Sequence, residues 1–250
     1  NFPSIFSLIM GGIGAVAEKL IKASPVANFL FTAYDALSLA NAAAWLGGAA
    51  VRLAKANLWA VGEDPLVIDL DGDGIETTPV DVARVYFDLD QDLFAELTGW
   101  IDGDDGFLVR DLNDNGRIDD IGEMFGQQFG RGYEDLAQFD TAAEGGNGDG
   151  RITAADAIWA ELLIWRDRNE DGETDAGELF TLDELGIVSL DLDTQPLDVT
   201  TPQGAELLST GRVAFEDGTT TRMYETIFES FDSFTRFAGE SGRAAWQQEL

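Results

Sequence analysis

All but two of the 47 acidic residues in this 250-residue chain lie beyond residue 60, where eleven arginines and no lysine oppose them. That segment carries a net charge of −34, against +2 for residues 1–60. A compact domain at such a charge repels itself unless counter-charge is bound within it. Between Asp69 and Glu178 the acids alternate with short spacers and meet Asn and Gly, so the segment is expected to fold around divalent cations. Nucleic acid is excluded as a partner, because phosphate binding needs clustered Lys and Arg. Hydrophobic residues make up 45% and aromatics 10% of the chain, which predicts a packed core rather than disorder.

The chain has neither Cys nor His. Disulfides, thiol catalysis, Cys-type zinc sites and the usual general base are therefore absent. Chemistry is left to carboxylates, Tyr, Arg, the backbone or a hard metal ion.

The clearest metal motif runs from Asp167 to Glu178. A twelve-residue calcium loop presents oxygens from positions 1, 3, 5, 7, 9 and 12, with Gly at 6 for the sharp turn and a bidentate Glu closing the shell. Asp167, Asn169, Asp171, Glu173 (through its carbonyl), Asp175 and Glu178 meet each requirement, with Gly172 at the sixth place. Four further loops match in part. Asp69, Asp71, Asp73 and Ile75 supply a first half, with Val80 where the closing Glu belongs, so Glu76 or Asp81 must complete it. Asp88, Asp90, Asp92, Phe94 and Glu96 have Leu93 at the Gly position, which implies altered geometry. Asp111, Asn113, Asn115, Arg117 and Asp119 fit through position 9, and Glu123 stands one place late. Asn147, Asp149, Arg151, Thr153 and Asp156 fit from position 3, after an insertion that separates Asp140; Asp140 or Glu144 compensates. A single such loop reads equally as a solvated Asx turn, but five within about 110 residues point to four to six bound ions. Calcium is favoured over magnesium, which keeps more of its waters.

Around these loops the expected fold class is α+β: EF-hand-like calcium loops with short strands and a β-hairpin, preceded by an N-terminal helical segment. Residues 1–60 are Ala-, Leu- and Gly-rich and predict two helices, punctuated by Pro25 and the Gly pairs. They read either as packed helices or as a membrane-contacting segment, although Tyr34, Asp35 and Arg52 interrupt any span of about twenty apolar residues. The calcium-binding module is expected over 61–230, with strands at 65–70, 84–88 and 106–111, a helix over 154–166, and a hairpin over 205–228 about Asp217-Gly218. Residues 231–250 form a tail expected to be helical. The chain begins with Asn, as a piece of a longer protein would, and shows no cleavable leader.

Four segments occur in a distinctive order: DPLVIDLDGDGIET from Asp64, VYFDLDQDLFAELTGW from Val85, DLNDNGRIDDIGEMFG from Asp111 and WRDRNEDGETDAGEL from Trp165. In their order and spacing, over roughly residues 60–230, they resemble the self-processing module of FrpC-like iron-regulated RTX proteins. The resemblance implies calcium-triggered cleavage of the Asp64-Pro65 bond, linkage of the new Asp64 end to a lysine amine, and export by type I secretion to the cell exterior. Leu93 and the insertion before Asn147 depart from the family pattern. The RTX nonapeptide array is absent; residues 145–149 hold a single copy.

Asp64-Pro65 is the chain's one Asp-Pro pair. Its chemistry follows from the residues themselves. An Asp carboxylate can attack its own main-chain carbonyl, giving a five-membered anhydride and expelling the proline nitrogen. Proline lacks the N–H through which a following residue forms a succinimide. The leaving nitrogen takes its proton from a carboxyl, Tyr86 or water. Lys19, Lys22 and Lys55 all precede Asp64, so an anhydride there meets water, its own N-terminal piece, or lysine amines of neighbouring proteins. Two other readings stand beside self-cleavage: a purely structural calcium-dependent folding module, and a regulator of a membrane-active toxin segment in residues 1–60.

Overall fold

The computed structural model describes residues 63–127 and 131–237, with side chains through Ser230. The expectations for residues 1–60 lie outside the described residues, as does the tail beyond residue 237. Among the described residues no helix is long and apolar enough to cross a membrane.

The order of elements is β1 (Leu66–Ile68), β2 (Thr77–Thr78), the single-turn helix α1 (Val80–Ala83), β3 (Val85–Phe87), β4 (Phe94–Thr98), β5 (Trp100–Ile101) and β6 (Gly106–Val109), then α2 (Gly132–Ala137) and β7 (Arg151–Ile152). There follow β8 (Leu163–Trp165), β9 (Leu179–Thr181), β10 (Ile187–Asp191), β11 (Gln195–Thr200), β12 (Glu206–Phe215), β13 (Thr220–Ile227) and β14 (Ser230–Phe237). Nine strands form one antiparallel sheet, eight of them in the order β7-β10-β12-β13-β1-β6-β8-β9 and the ninth, β11, paired beside β12. β10 and β11 share one edge of the long strand β12: Val213 to Phe215 pair with β10, and Glu206 to Thr210 with β11. A second sheet runs β14-β4-β3, and β2 pairs with β5.

The described residues are thus mainly β, and the α+β, EF-hand-like fold class is overturned. Helix among the described residues is limited to α1, α2 and the 3-10 turns Ile121–Glu123, Gln138–Asp140 and Ala157–Glu161. The reason lies in the short apolar runs. In β1, Leu66 and Ile68 enter one hydrophobic cluster and Val67 the other; in β6, Leu108 faces the first while Phe107 and Val109 face the second. Three or four consecutive apolar residues bury both faces of a strand, which a helix of that length cannot do. The predicted helix over 154–166 splits for the same cause. Its first part is a 3-10 turn, and β8 then sends Ile164 to one cluster and Trp165 to the other. The tail is corrected too, since Ser230–Phe237 is a strand paired with β4. Strands do form at the three expected places, and β12 and β13 make the hairpin about Asp217-Gly218.

The second cluster contains an aromatic knot. Trp100 stacks against Phe107 at 4.7 Å between centroids, Phe87 at 5.4 Å and Trp165 at 5.6 Å. Tilted and edge-on pairs of this kind contribute about 0.5–1.5 kcal/mol each beyond burial. The knot fixes β3, β5, β6 and β8, the strands that enter or leave the acidic loops.

Candidate metal centres and the Asp64-Pro65 bond

All five acidic loops share one backbone frame. The fourth residue has positive φ in each: Gly72 at 92°, Gln91 at 63°, Asp114 at 56°, Gly148 at 72° and Glu170 at 53°. So does the sixth: Gly74 at 115°, Leu93 at 75°, Gly116 at 78°, Gly150 at 83° and Gly172 at 73°. Leu93 therefore takes the conformation a glycine would hold there, at a steric cost of about 1–2 kcal/mol. The leading carboxylate gathers the amides inside this curl. Asp167 Oδ2 accepts from Gly172 N at 2.7 Å and Asp111 Oδ2 from Gly116 N at 2.7 Å. Asp88 Oδ2 accepts from Leu93 N at 3.0 Å, and Asp69 Oδ1 from Gly72 N at 2.7 Å. Across the insertion, Asp140 accepts from Gly148, Asp149 and Gly150, as the leading carboxylates of the other loops accept from theirs, while Glu144 is exposed.

A second carboxylate closes each loop by accepting the amide of its second residue or one nearby. Glu178 accepts from Arg168 N at 3.0 Å and Asp175 N at 2.9 Å. Glu123 makes the equivalent bonds to Leu112 N at 2.9 Å and Asp119 N at 2.8 Å, because the 3-10 turn Ile121–Glu123 absorbs its extra residue. Asp156 accepts from Asn147 and Thr153, and Glu96 from Leu89 N at 2.9 Å. For the first loop the closing group is one that sequence reasoning missed. Asp105, from the turn between β5 and β6 and wholly buried, accepts from Leu70 N at 3.3 Å and Glu76 N at 3.2 Å. Asp105, Asp104 and Glu76 bring carboxylate oxygens within 4.8 Å of one another, as do Asp69, Asp71 and Asp73. Asp81 lies exposed on α1. Only the three-dimensional return of the chain brings Asp105 to Leu70, so no local spacing could have marked it.

Between the two ends, alternate side chains converge. Asn169 Nδ2 donates to Asp171 and Asp175; Asn113 and Asn115 donate to Asp119; Asn147 donates to Asp149. Ile75, Phe94, Arg117, Arg151 and Glu173 occupy the seventh positions, whose contribution would be a carbonyl. Asp92 accepts from Phe94 N at 2.8 Å. Strands flank Asp167–Glu178 where an EF-hand-like loop would have helices, with β8 leading in and β9 leading out.

Burial drives the electrostatics. It pushes Asp167 and Asp88 up to about 6, Glu96 to about 7 and Asp105 to about 8, against the partial relief of the amides they accept from. Glu76 is raised by burial first and then by Asp73 and Asp104, and Glu123 by burial. Asp73 is raised chiefly by its hydrogen bond with Asp71. Such groups are relieved when a cation joins them. Their all-oxygen donor sets suit a hard ion such as calcium rather than a thiophilic or imidazole-seeking metal.

The loops are joined to one another. Ile118 and Thr174, each the eighth residue of its loop, meet through Ile118 N donating to Thr174 Oγ1 at 2.9 Å, beside an Arg117–Glu173 ion pair at 3.7 Å. Trp100 Nε1 donates to Asp167 Oδ2 at 2.8 Å, tying the aromatic knot to the leading carboxylate.

At the other end of β1 the Asp64-Pro65 bond is held from both sides. Asp64 N donates to Gly126 O at 2.9 Å, and Thr226 N donates to Pro65 O at 3.1 Å. Asp64 is fully buried, and its Oδ2 accepts from Arg131 N at 3.1 Å. Two glycines close over it. A Cβ on Gly126, whose φ is +104°, would sit 2.7 Å from the Asp64 carbonyl carbon and 2.8 Å from Oδ1; one on Gly132 would sit 2.9 Å from the Asp64 carbonyl oxygen. Neighbouring Tyr133 donates its hydroxyl proton to Met223 O at 2.7 Å and accepts from Gly211 N.

A family model described as the SPM domain matches residues 66–229, beginning one residue past Pro65. The chain belongs to the SPM-domain family. This SPM domain is similar to the Iron-regulated protein FrpA of Neisseria meningitidis serogroup C, with 42% identity over 183 residues. The match covers 70% of this chain and 16% of FrpA, so the chain spans only a small part of that relative's length.

Proposed function

We propose that this SPM domain is a calcium-dependent folding module, part of a secreted RTX-type protein, that cleaves its own Asp64-Pro65 bond once folded. The observation that carries the reading is the clamp on Asp64. Its amide, its carboxylate and the carbonyl of Pro65 each have a backbone partner, and Gly126 and Gly132 leave room for little but hydrogen beside the reacting carbonyl. A nucleophile held on the same residue as its target loses no encounter entropy, a gain of several kcal/mol in well-oriented systems.

In the step itself, the Asp64 carboxylate oxygen bonds to the Asp64 carbonyl carbon, the carbon–nitrogen bond to Pro65 breaks, and the proline nitrogen takes up a proton. A cyclic anhydride remains at Asp64. Water opens it to a free C-terminus, or a lysine amine opens it to an amide with loss of a proton to solvent. Residues 61–250 hold no lysine, so the amine comes from outside that segment.

Calcium, when bound, supplies counter-charge and cross-links the loops. Asp69, Asp71, Asp73 and Asp105 would hold one ion, and Asp111–Glu123, Asp140–Asp156 and Asp167–Glu178 one each. The first of these loops begins directly after β1, so its closure fixes the strand that Asp64-Pro65 leads into. Binding to the folded state alone stabilises it by about 2.7 kcal/mol per site at a hundredfold excess over Kd.

Adding millimolar calcium to the purified chain is expected to yield fragments of 64 and 186 residues, and Asp64→Asn to yield none. An unchanged chain that nonetheless folds on calcium would leave a purely structural calcium module.

A further inference from the structure

We infer that residues 88–96 form a separate, shortened calcium site in which Glu96 is the closing ligand, three places earlier than twelve-residue spacing allows. The inference adds a site of different construction to the calcium reading above and does not depend on the scission.

Glu96 earns its role by the bond it makes. Its Oε2 takes the amide of Leu89, the second residue of the loop, as Glu178 takes that of Arg168 and Glu123 that of Leu112. The early closure has a cause in the strands. β3 and β4 pair directly, with Phe87 opposite Glu96, so the hairpin itself returns Glu96 to Asp88 and no longer loop is required. Gln91 and Leu93 keep the positive φ of the other loops, although neither is glycine.

An independent observation points to a cation. Asp88 is 2% exposed, and among the described residues its Oδ1 has no hydrogen-bond partner. Glu96 is also buried, and one carboxylate oxygen from each of Asp88, Asp90 and Glu96 lies within 4.8 Å of the other two. Buried carboxylates brought together in this way are stabilised by pairing or by a metal. The three carboxylates, with Asp92 and the carbonyl of Phe94 beside them, form an all-oxygen set suited to calcium.

The site also touches its neighbour. Ile121 N donates to Asp88 O at 3.0 Å, and Gln91 Nε2 to Asp120 Oδ1 at 3.0 Å. An ion in the hairpin therefore steadies the 3-10 turn that carries Glu123.

Calcium titration of the full chain, with uptake counted by native mass spectrometry and heat, tests the assignment. Glu96→Gln is expected to bind one ion fewer than the unaltered chain. Asp90→Asn changes an exposed loop residue outside the core, and is expected to weaken one ion by about tenfold or more while far-UV dichroism stays unchanged. Unaltered uptake and affinity in both variants would overturn the site. Gel fragments of the unaltered chain separate this from the scission: if that chain takes up calcium yet never cleaves, self-processing is refuted while an ion lost in Glu96→Gln keeps the site, whereas cleavage of the unaltered chain with uptake unchanged in both variants overturns the site alone.

Discussion

Asp64 and Leu93 show how much a single residue carries here. Asp64 owes its environment to two glycines, and Gly126 is the more exacting, because it combines positive φ with contact against the Asp64 carbonyl carbon and Oδ1. Gly126→Ala is expected to destabilise the fold by about 1–3 kcal/mol through strain and overlap. It should slow scission far more than Gly204→Ala, a positive-φ glycine with open space around it; fragment yield on a gel compares the two. Leu93 poses the opposite case, a side chain where glycine belongs. Leu93→Gly relieves about 1–2 kcal/mol of backbone strain and gives back about 0.5–1 kcal/mol of chain entropy. A gain in unfolding free energy of up to about 1 kcal/mol is expected in denaturant titrations, and a loss of that size would refute the strain.

At the level of elements, the loops act in pairs. The meeting of Ile118 with Thr174 joins the 111–123 and 167–178 loops at their eighth positions. Thr174→Val removes the acceptor and leaves a buried amide unsatisfied, a cost of about 1–3 kcal/mol. Calcium titrations of this variant are expected to lose cooperativity between the two loops, and independent binding in the unaltered chain would sink that expectation. Trp100 extends the linkage to the core, since its indole N–H orients Asp167. The segment around Asp167–Glu178 also explains why a loop motif does not fix its flanks. The loop needs its ends a set distance apart, and β8 and β9 supply that as readily as helices would.

Across the whole molecule, charge decides the response to pH and to chelation. Asp167, Asp88, Glu96 and Asp105 have pKa values raised by burial from 3.8 or 4.5 to between about 6 and about 8. Without metal the folded state therefore holds more protons than the unfolded chain between about pH 4 and pH 8. Its stability falls as pH rises through that window. Calcium held as proposed would reverse the slope, because an ion takes the ionised carboxylates and releases their protons. Thermal melts in chelator are expected to drop from pH 5 to pH 8, and melts in millimolar calcium to rise over the same range. Parallel curves would show that the buried carboxylates do not hold the ions.

The sequence by itself determined the loops and the bond. Alternating Asp and Asn, the glycines that follow them and the single Asp-Pro pair are local features, and local chemistry makes an Asx-lined curl wherever they occur. Short apolar runs likewise marked β1, β3 and β6 and the hairpin about Asp217-Gly218. Tertiary structure decided the rest. It chose strands over helices around the loops, because three-residue apolar runs had two cores to fill. It returned Asp105 to Leu70 from 35 positions away, and placed Gly126 and Arg131 on Asp64 from more than 60. Those contacts arise from packing between segments distant in the chain, which spacing along a sequence does not encode.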